Sequence, residues 1–352
     1  MKRNIKFLAS ALTVAALGVS LSACTDWTEP ESLDQNYTPI EEAEGYAEYC
    51  AKVKQYHQTS HRQVYGWFNN VDNANGHGQR IVAMPDSLDV IVLANPATLS
   101  SQTREDMATV RDRFGIKFSY TVDFDAIKED HTALIESIDK QIALLDASAE
   151  DYQEQLDALQ AQKPEFLDYV LGALTEQLAY SNDFEGVMFA FDGKLTAHMR
   201  PAELTEYRNQ MRLFLGAVKD YAGRHPELMI DYLGNPQYIA DTEYIGLFKH
   251  LFVRPALYAT NANQYGEYYT LALTDGVPAD RVGVVSTCTI PGDAETGYFA
   301  DKSKAIDGFV KWAAGSPVAA VGVYNANYDY YNAQFTFPAV RKLIQAVNPA
   351  IK

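Results

Sequence analysis

Eight short, strongly apolar segments, separated by longer stretches with helical periodicity, constrain the fold of this chain more than any other feature. They are rich in β-branched and aromatic residues, as the run Val-Ile-Val-Leu at 90–93 illustrates. Continuous apolar runs of this length are typical of strands buried on both faces of a parallel sheet. We therefore predict strands at 63–68, 88–95, 116–123, 184–192, 228–233, 251–258, 281–287 and 318–325.

The alternation of strands and helices favours an α/β fold, specifically a (β/α)8 TIM barrel. Eight strands occupy about 300 residues, somewhat more than the ~250 typical of this barrel. Segment 125–180, which is nearly all helical in pattern, accounts for the excess as a helical insertion after strand 3. Two roles are possible for this segment. It packs in the outer ring of the barrel with one face in solvent, or it forms a lid or a partner-binding arm. An open doubly wound sheet is the alternative fold, but no Gly-rich phosphate loop follows the first strand.

The N-terminal segment has the pattern of a targeting signal. Three basic residues precede the uncharged apolar run 7–23, which predicts a secretory signal peptide over residues 1–23. A retained membrane span would need about 20 apolar residues and is the alternative. Leu-Ser-Ala-Cys at 21–24 resembles a bacterial lipobox, which implies cleavage before Cys24 and attachment of lipid to its sulfur.

Residues 24–44 separate this signal from the predicted barrel domain at 45–352. They are acidic and contain two prolines, which predicts a solvated, lipid-anchored tether. An acidic cluster behind the lipid cysteine resembles the export signal of surface lipoproteins in Bacteroidota. The resemblance implies an outer-membrane lipoprotein exposed at the cell surface, with a periplasm-facing anchor as the alternative.

Charge and cysteine content exclude several function classes. A net charge of −17 argues against a nucleic-acid partner, because phosphate binding needs clustered Lys and Arg. Three cysteines are too few for a disulfide scaffold. Cys50 and Cys288 lie in different predicted elements, and two such cysteines are more often free and buried than paired. Neither a closely spaced set of metal ligands nor a nucleophile elbow occurs. We predict no metal and no cofactor.

The C-terminal ends of the predicted strands carry the candidate site, because barrel enzymes build their sites there. These ends combine aromatic rings, amides and carboxylates, a set that suits a sugar: rings stack on it and polar groups bind its hydroxyls. Packing inside the barrel is the alternative for each aromatic residue taken singly. The predicted glycan-binding residues are Trp67, Tyr120, Asp123, Asp231, Tyr232, Tyr258, Tyr324 and Asn325.

Segment 185–192, Glu-Gly-Val-Met-Phe-Ala-Phe-Asp, resembles the fourth-strand signature of glycoside hydrolase family 18, Asp-Gly-x-Asp-x-Asp-x-Glu. That family includes chitinases and endo-β-N-acetylglucosaminidases, and the likeness is closest to lipoproteins of Bacteroidota glycan-utilisation systems. It extends to Tyr-Gly-Trp at 65–67 and to the aromatic strand end at 324–325. The resemblance implies substrate-assisted hydrolysis, in which the final Glu is the general acid and the Asp two residues earlier orients the substrate acetamide.

This chain departs from the signature at the positions that carry the chemistry. Asp192 stands at the general-acid position, Ala190 at the acetamide-orienting position and Met188 at the central Asp. We therefore predict an inactive barrel that binds N-acetylglucosamine-containing glycans, such as N-glycans, for uptake with importer and hydrolase partners. An active hydrolase with Asp192 as the acid is one alternative. A surface lipoprotein that binds protein, through the helical arm for example, is the other.

Overall fold

The computed structural model of the chain describes residues 43–239, 241–331 and 335–349. The predicted signal peptide, Cys24 and all but the last two residues of the predicted tether lie outside the described residues. The compact unit that contains the barrel comprises residues 48–352. Within the described ranges, no helix has both the length and the apolar character needed to cross a bilayer.

Eight parallel strands close into a barrel in chain order, which confirms the predicted (β/α)8 fold. Each strand pairs with its neighbours in sequence, and the first strand closes the barrel by pairing with the eighth. The strands are β1 Gln63–Phe68, β2 Val90–Leu93, β3 Lys117–Asp123, β4 Gly186–Phe191, β5 Met229–Gly234, β6 Leu251–Val253, β7 Val282–Thr287 and β8 Ala320–Tyr324.

Nine α-helices accompany the strands in the described part of the chain. The helix after β2 shows how the local sequence sets their limits: the Ser100 hydroxyl accepts the Thr103 N–H at its start, and Gly115 ends it with φ +77°. The helices are α1 Tyr46–His57, α2 Ser101–Phe114, α3 Phe124–Ala143, α4 Tyr152–Gln160, α5 Phe166–Leu178, α6 Pro201–Arg224, α7 Asn263–Ala272, α8 Ala305–Gly315 and α9 Pro338–Val347.

The predicted insertion after strand 3 consists of α3, α4 and α5. Helices α3 and α5 bury apolar side chains such as Ile127 and Leu174, so they belong to the outer ring of the barrel. Helix α4 is fully described and buries none of its residues. The part of the insertion that projects from the barrel is therefore α4.

The pairing register decides which side chains face the inside of the barrel. Tyr65 in β1 contacts Phe252 in β6 across the barrel, with ring centroids 4.8 Å apart, so both face inward. Because side chains alternate along a strand and paired residues share a face, the same register places Asp123 and Ala190 inside as a pair.

One strand boundary differs from the prediction in a way that alters the site. The predicted strand 251–258 ends at Val253, and residues Arg254–Tyr258 form a 3-10 turn instead. Pro255 explains the early end, because its nitrogen has no hydrogen to donate to the sheet. The residue that follows the sixth strand at the barrel mouth is thus Arg254, and Tyr258 lies beyond it.

Candidate functional site

Arg254 spans the mouth of the barrel. Its Nη2 lies 2.7 Å from Asp123 Oδ2, and its Nη1 lies 3.7 Å from Asp192 Oδ2. Because β4 and β5 separate β3 from β6 in the closed sheet, the guanidinium must cross the inner side of both strands to reach Asp123. The mouth is therefore occupied by one guanidinium between two carboxylates.

The inner face of β4 is apolar below Asp192. Met188 and Ala190 are completely buried there. The Asp192 N–H donates to Asp125 Oδ2 at 3.0 Å, which fixes the backbone at the strand end. Asp192 Oδ1 and Arg254 Nη1 are both buried, and neither makes a hydrogen bond to a described residue. The mouth therefore contains two buried polar atoms whose hydrogen-bonding capacity is not satisfied by the described residues.

Burial and charge act in opposite directions on the two central groups. Burial raises the pKa of Asp192, Arg254 opposes that rise, and Asp125 adds to it. Burial disfavours the charged guanidinium, but Asp123 and then Asp192 outweigh it, so the pKa of Arg254 lies above its ordinary value. Arg254 is thus a permanent cation at the mouth. In the part of the chain that the structure describes, no group of three or more His, Cys, Asp or Glu residues could hold a metal ion.

Trp67 and Tyr324 form an aromatic stack inside the barrel at the level of the strand ends. Their ring centroids are 4.2 Å apart and their planes differ by 15°. Gly322 makes room for this stack, because a Cβ at that position would lie 2.6 Å from the Trp67 ring. Trp67 is only 6% exposed, and its buried Nε1 finds no acceptor within the described residues. The stack therefore mainly fills the interior of the barrel at this level.

A cavity of about 430 Å³ opens beside this stack. Tyr258 lines it with 73% of its surface exposed, so its ring is free to stack on a sugar. Asn325 also lines it, and its Nδ2 donates to Thr287 Oγ1 at 3.0 Å. A second cavity of about 720 Å³ shares the wall residue Tyr298 with the first. The two adjacent cavities offer room for several sugar units.

Tyr120 and Tyr232 do not reach the mouth. The Tyr120 hydroxyl donates to the Gln177 carbonyl at 2.8 Å, which directs the ring toward α5. The Tyr232 hydroxyl donates to the Phe191 carbonyl at 2.6 Å, and its ring packs on Phe248. Both residues occupy outward positions of their strands, because Asp123 and Asp231 take the inward ones. This placement removes the two tyrosines from the candidate site.

Asp231 faces inward but lies too deep to meet a ligand. It is in register with Met188, two residues below Ala190, and is completely buried. Its carboxylate accepts the Tyr65 hydroxyl at 2.8 Å and the His250 N–H at 3.0 Å. Asp231 therefore belongs to the polar core of the barrel. The predicted residues that the structure brings to the mouth and its cavity are Trp67, Asp123, Asp192, Tyr258, Tyr324 and Asn325.

Sequence reasoning missed Arg254 and Asp125. The signal for Arg254 was Pro255, which shortens the strand and makes position 254 its end. Asp125 begins α3 directly after β3, so its proximity to Asp192 depends on the β3–β4 pairing.

The sequence model described as glycoside hydrolase family 18, BT1044-like, matches residues 28–346. The chain belongs to glycoside hydrolase family 18. The family predicted from the fourth-strand segment is therefore confirmed. Among curated proteins, none matches the sequence.

Solved structures show the same fold at low sequence identity. A glutamate-to-glutamine variant of BT1044 is 16% identical with a TM-score of 0.56, over 89% of this chain and 95% of that one. The endo-β-N-acetylglucosaminidase from Cordyceps militaris is 13% identical with a TM-score of 0.54, over 85% and 95%. A double variant of the latter, in complex with fucosyl-N-acetylglucosamine-Asn, is 14% identical with a TM-score of 0.52, over 85% and 95%.

Within the family 18 signature, the first acidic position has a structural role in this chain. Glu185 accepts the Phe118 N–H at 2.8 Å, and Arg111 Nε lies 2.7 Å from its Oε1. These contacts hold the start of β4 against β3, at the opposite end of the strand from the mouth. Asp192 is thus the one carboxylate that the signature segment contributes to the mouth.

Proposed function

We propose that this chain is a glycan-binding member of glycoside hydrolase family 18 that does not hydrolyse its ligand. The observation that carries the proposal is the position of Arg254, which lies between Asp123 and Asp192 above a buried Ala190. A general acid must deliver a proton to the glycosidic oxygen. The Asp192 carboxylate instead lies 3.7 Å from a permanent cation, which opposes its protonation.

The size of the catalytic loss follows from the two substitutions. An aspartate in place of glutamate withdraws the carboxyl by about 1.5 Å, the length of one C–C bond, and a misplacement of about 1 Å can cost about 10²-fold in rate. Ala190 offers no group to the acetamide, and removing one positioned charge-stabilising group costs about 10²–10³-fold. Together these losses bring the rate down by about 10⁴–10⁵-fold.

The proposed ligand is an N-acetylglucosamine-containing oligosaccharide, such as an N-glycan. The exposed ring of Tyr258 and the amide of Asn325 beside the mouth suit a sugar, and the two adjacent cavities suit a chain of several units. The endo-β-N-acetylglucosaminidase of the same fold, in its complex with fucosyl-N-acetylglucosamine-Asn, supports this class of ligand.

The proposed setting is the outer membrane, with the barrel displayed on the cell surface. The basic and apolar N-terminus, the lipobox-like segment ending at Cys24 and the acidic residues behind it support a lipid anchor. A protein held there would capture glycans and transfer them to importer and hydrolase partners.

Hydrolysis is the second candidate function, because one observation favours it. Burial raises the pKa of Asp192, and a raised carboxyl pKa is what a general acid requires. Asp192, directly after β4, would then act without a carboxylate at position 190 to orient the acetamide.

Calorimetric titration and a turnover assay on the same preparation distinguish the two. With the N-glycan core pentasaccharide, we expect saturable binding and no product. Asp192→Asn should leave the absence of product unchanged. The matched control is Asp241→Asn, which alters a carboxylate paired with Arg212 on the outside of the barrel. Product that wild type releases and Asp192→Asn does not would overturn the proposal, as would the absence of any glycan binding.

A further inference from the structure

A third cavity, of about 730 Å³, lies between the start of α7 and helix α8. Its walls come from segments 261–263 and 299–312, and we call it the α7–α8 cavity. Its volume falls within the range of about 300–1,000 Å³ that is typical of sites for small ligands. The glycan-binding site proposed above does not include it.

The α7–α8 cavity adjoins the cavity of about 430 Å³ beside the mouth, which we call the mouth cavity. Thr260 lines the mouth cavity, and the next residue, Asn261, lines the α7–α8 cavity. In the same way, Tyr298 lines the first and Phe299 lines the second. The ridge between them is held by a 3.0 Å hydrogen bond from the Ala300 N–H to the Thr260 carbonyl. An oligosaccharide of several units is long enough to cross this ridge and occupy both cavities.

The floor of the α7–α8 cavity is apolar. Phe299 lies directly against α8 because Gly308 has no side chain, and a Cβ at that position would lie 2.5 Å from the Phe299 ring. Trp312 also lines the cavity and is half-buried. Its ring centroid lies 5.8 Å from those of the buried residues Phe309 and Tyr265, and this packing fixes the indole in place. An apolar floor with a fixed aromatic ring suits the C–H face of a sugar ring.

Polar side chains line the rest of the α7–α8 cavity. Its charged groups are two carboxylates, Asp301 and Asp307, and two ammonium groups, Lys304 and Lys311. Their formal charges cancel, which suits an uncharged ligand although the chain carries a net charge of −17. The side chains of Lys311 and Asn263 make no hydrogen bond or ion pair within the described residues. Both are therefore available to donate hydrogen bonds to the hydroxyl groups of a ligand.

We propose that the α7–α8 cavity is a second sugar-binding site, which holds uncharged units of the same oligosaccharide that Tyr258 binds in the mouth cavity. This inference rests on the proposed function, because it extends the same ligand across the ridge between the two cavities. Trp312 and the floor pack against a sugar ring, and Asn263 and Lys311 donate hydrogen bonds to its hydroxyls. Contacts in both cavities then contribute to the affinity for one glycan.

Fluorine NMR of the protein labelled with 5-fluorotryptophan reports on the α7–α8 cavity directly. The chain has three tryptophans, and the signal of Trp312 is the one that Trp312→Phe removes. With the N-glycan core pentasaccharide, we expect this signal to shift saturably, with the dissociation constant that calorimetry gives. An unchanged Trp312 signal, while calorimetry shows binding, overturns the inference but leaves the proposed function intact. If calorimetry shows no binding, the proposed function fails as well.

Substitutions at exposed positions test the proposed contacts. Asn263→Ala combined with Lys311→Ala removes both donors and should weaken pentasaccharide binding about tenfold in calorimetry. Lys140→Ala is the matched control, because it removes an exposed ammonium group from α3 that lines none of the three cavities, and it should bind as wild type. Thermal melting shows whether each variant is folded. A folded double variant with wild-type affinity would refute the assignment of the second site.

Discussion

Replacing Asp231 with alanine is expected to destabilise the barrel without weakening glycan binding. The carboxylate is completely buried, accepts the Tyr65 hydroxyl at 2.8 Å and accepts the His250 N–H at 3.0 Å. Tyr65 retains a second partner in the alanine variant, because its hydroxyl also lies 2.9 Å from His250 Nδ1. The backbone N–H of His250 loses its side-chain partner, because that partner is the Asp231 carboxylate.

The magnitude follows from these contacts. A hydrogen bond to a charged group contributes about 1.5–3 kcal/mol, and a buried donor left without a partner costs about 1–3 kcal/mol. Two bonds are lost and one donor is left unsatisfied, while removing the buried charge recovers part of its desolvation cost. We expect the free energy of unfolding to fall by about 3–5 kcal/mol. Glycan affinity should be unchanged, because Asp231 lies below Ala190 and away from the mouth.

Urea unfolding and calorimetric titration of the same variant provide the test. The transition midpoint should fall while the slope with urea stays constant, which identifies a change in stability rather than in compactness. Asp241→Ala is the control, because its exposed pair with Arg212 contributes at most about 1 kcal/mol. A loss below 1 kcal/mol for Asp231→Ala, or a tenfold loss of affinity in a protein of unchanged stability, would refute the reasoning.

Three further predictions concern the mouth, the base of the barrel and its interior. Tyr258→Ala should weaken pentasaccharide binding about tenfold in calorimetry, because it removes a ring that is 73% exposed. The exposed position also means that stability should not change. A variant that binds the pentasaccharide as tightly as wild type would contradict this role. The His61 ring donates a hydrogen bond to the Asp89 carboxylate, and this bond raises the pKa of His61. His61→Gln should therefore lower the free energy of unfolding in urea more at about pH 5.5 than at about pH 9, where the histidine has lost its proton in both states. An equal loss at both pH values would contradict this sign. Gly322→Ala should cost about 1–3 kcal/mol, because its Cβ would lie 2.6 Å from the Trp67 ring, and an unchanged melting temperature would show that the stack can adjust.

The accuracy of the strand predictions had a clear limit. Strand β1 was predicted with its observed bounds at 63–68, because a run buried on both faces is visible in the sequence. Tyr120 and Tyr232 show what such runs conceal: a continuously apolar strand gives no alternation from which to assign its faces. A displacement of one residue along the strand moves a side chain from the barrel interior to its outer wall. Both tyrosines were therefore assigned to the mouth and lie outside it.

The sequence also did not reveal how deep each inward-facing residue lies within the barrel. Asp231 and Asp123 both face inward, yet one is completely buried beside Met188 and the other meets Arg254 at the mouth. The stagger of strands in a closed barrel sets these levels, and it emerges only when all eight strands pair.

The order of residues along the chain was sufficient to predict the barrel, the family and the loss of the signature acids at positions 188 and 190. All three are local properties, because strand periodicity and a signature motif lie within short segments. The tertiary structure decided that Arg254, directly after β6, lies between Asp123 and Asp192, and that Trp67 stacks on Tyr324 from the opposite end of the chain. These contacts join residues that are distant in sequence, so they depend on how the closed sheet brings its strand ends together.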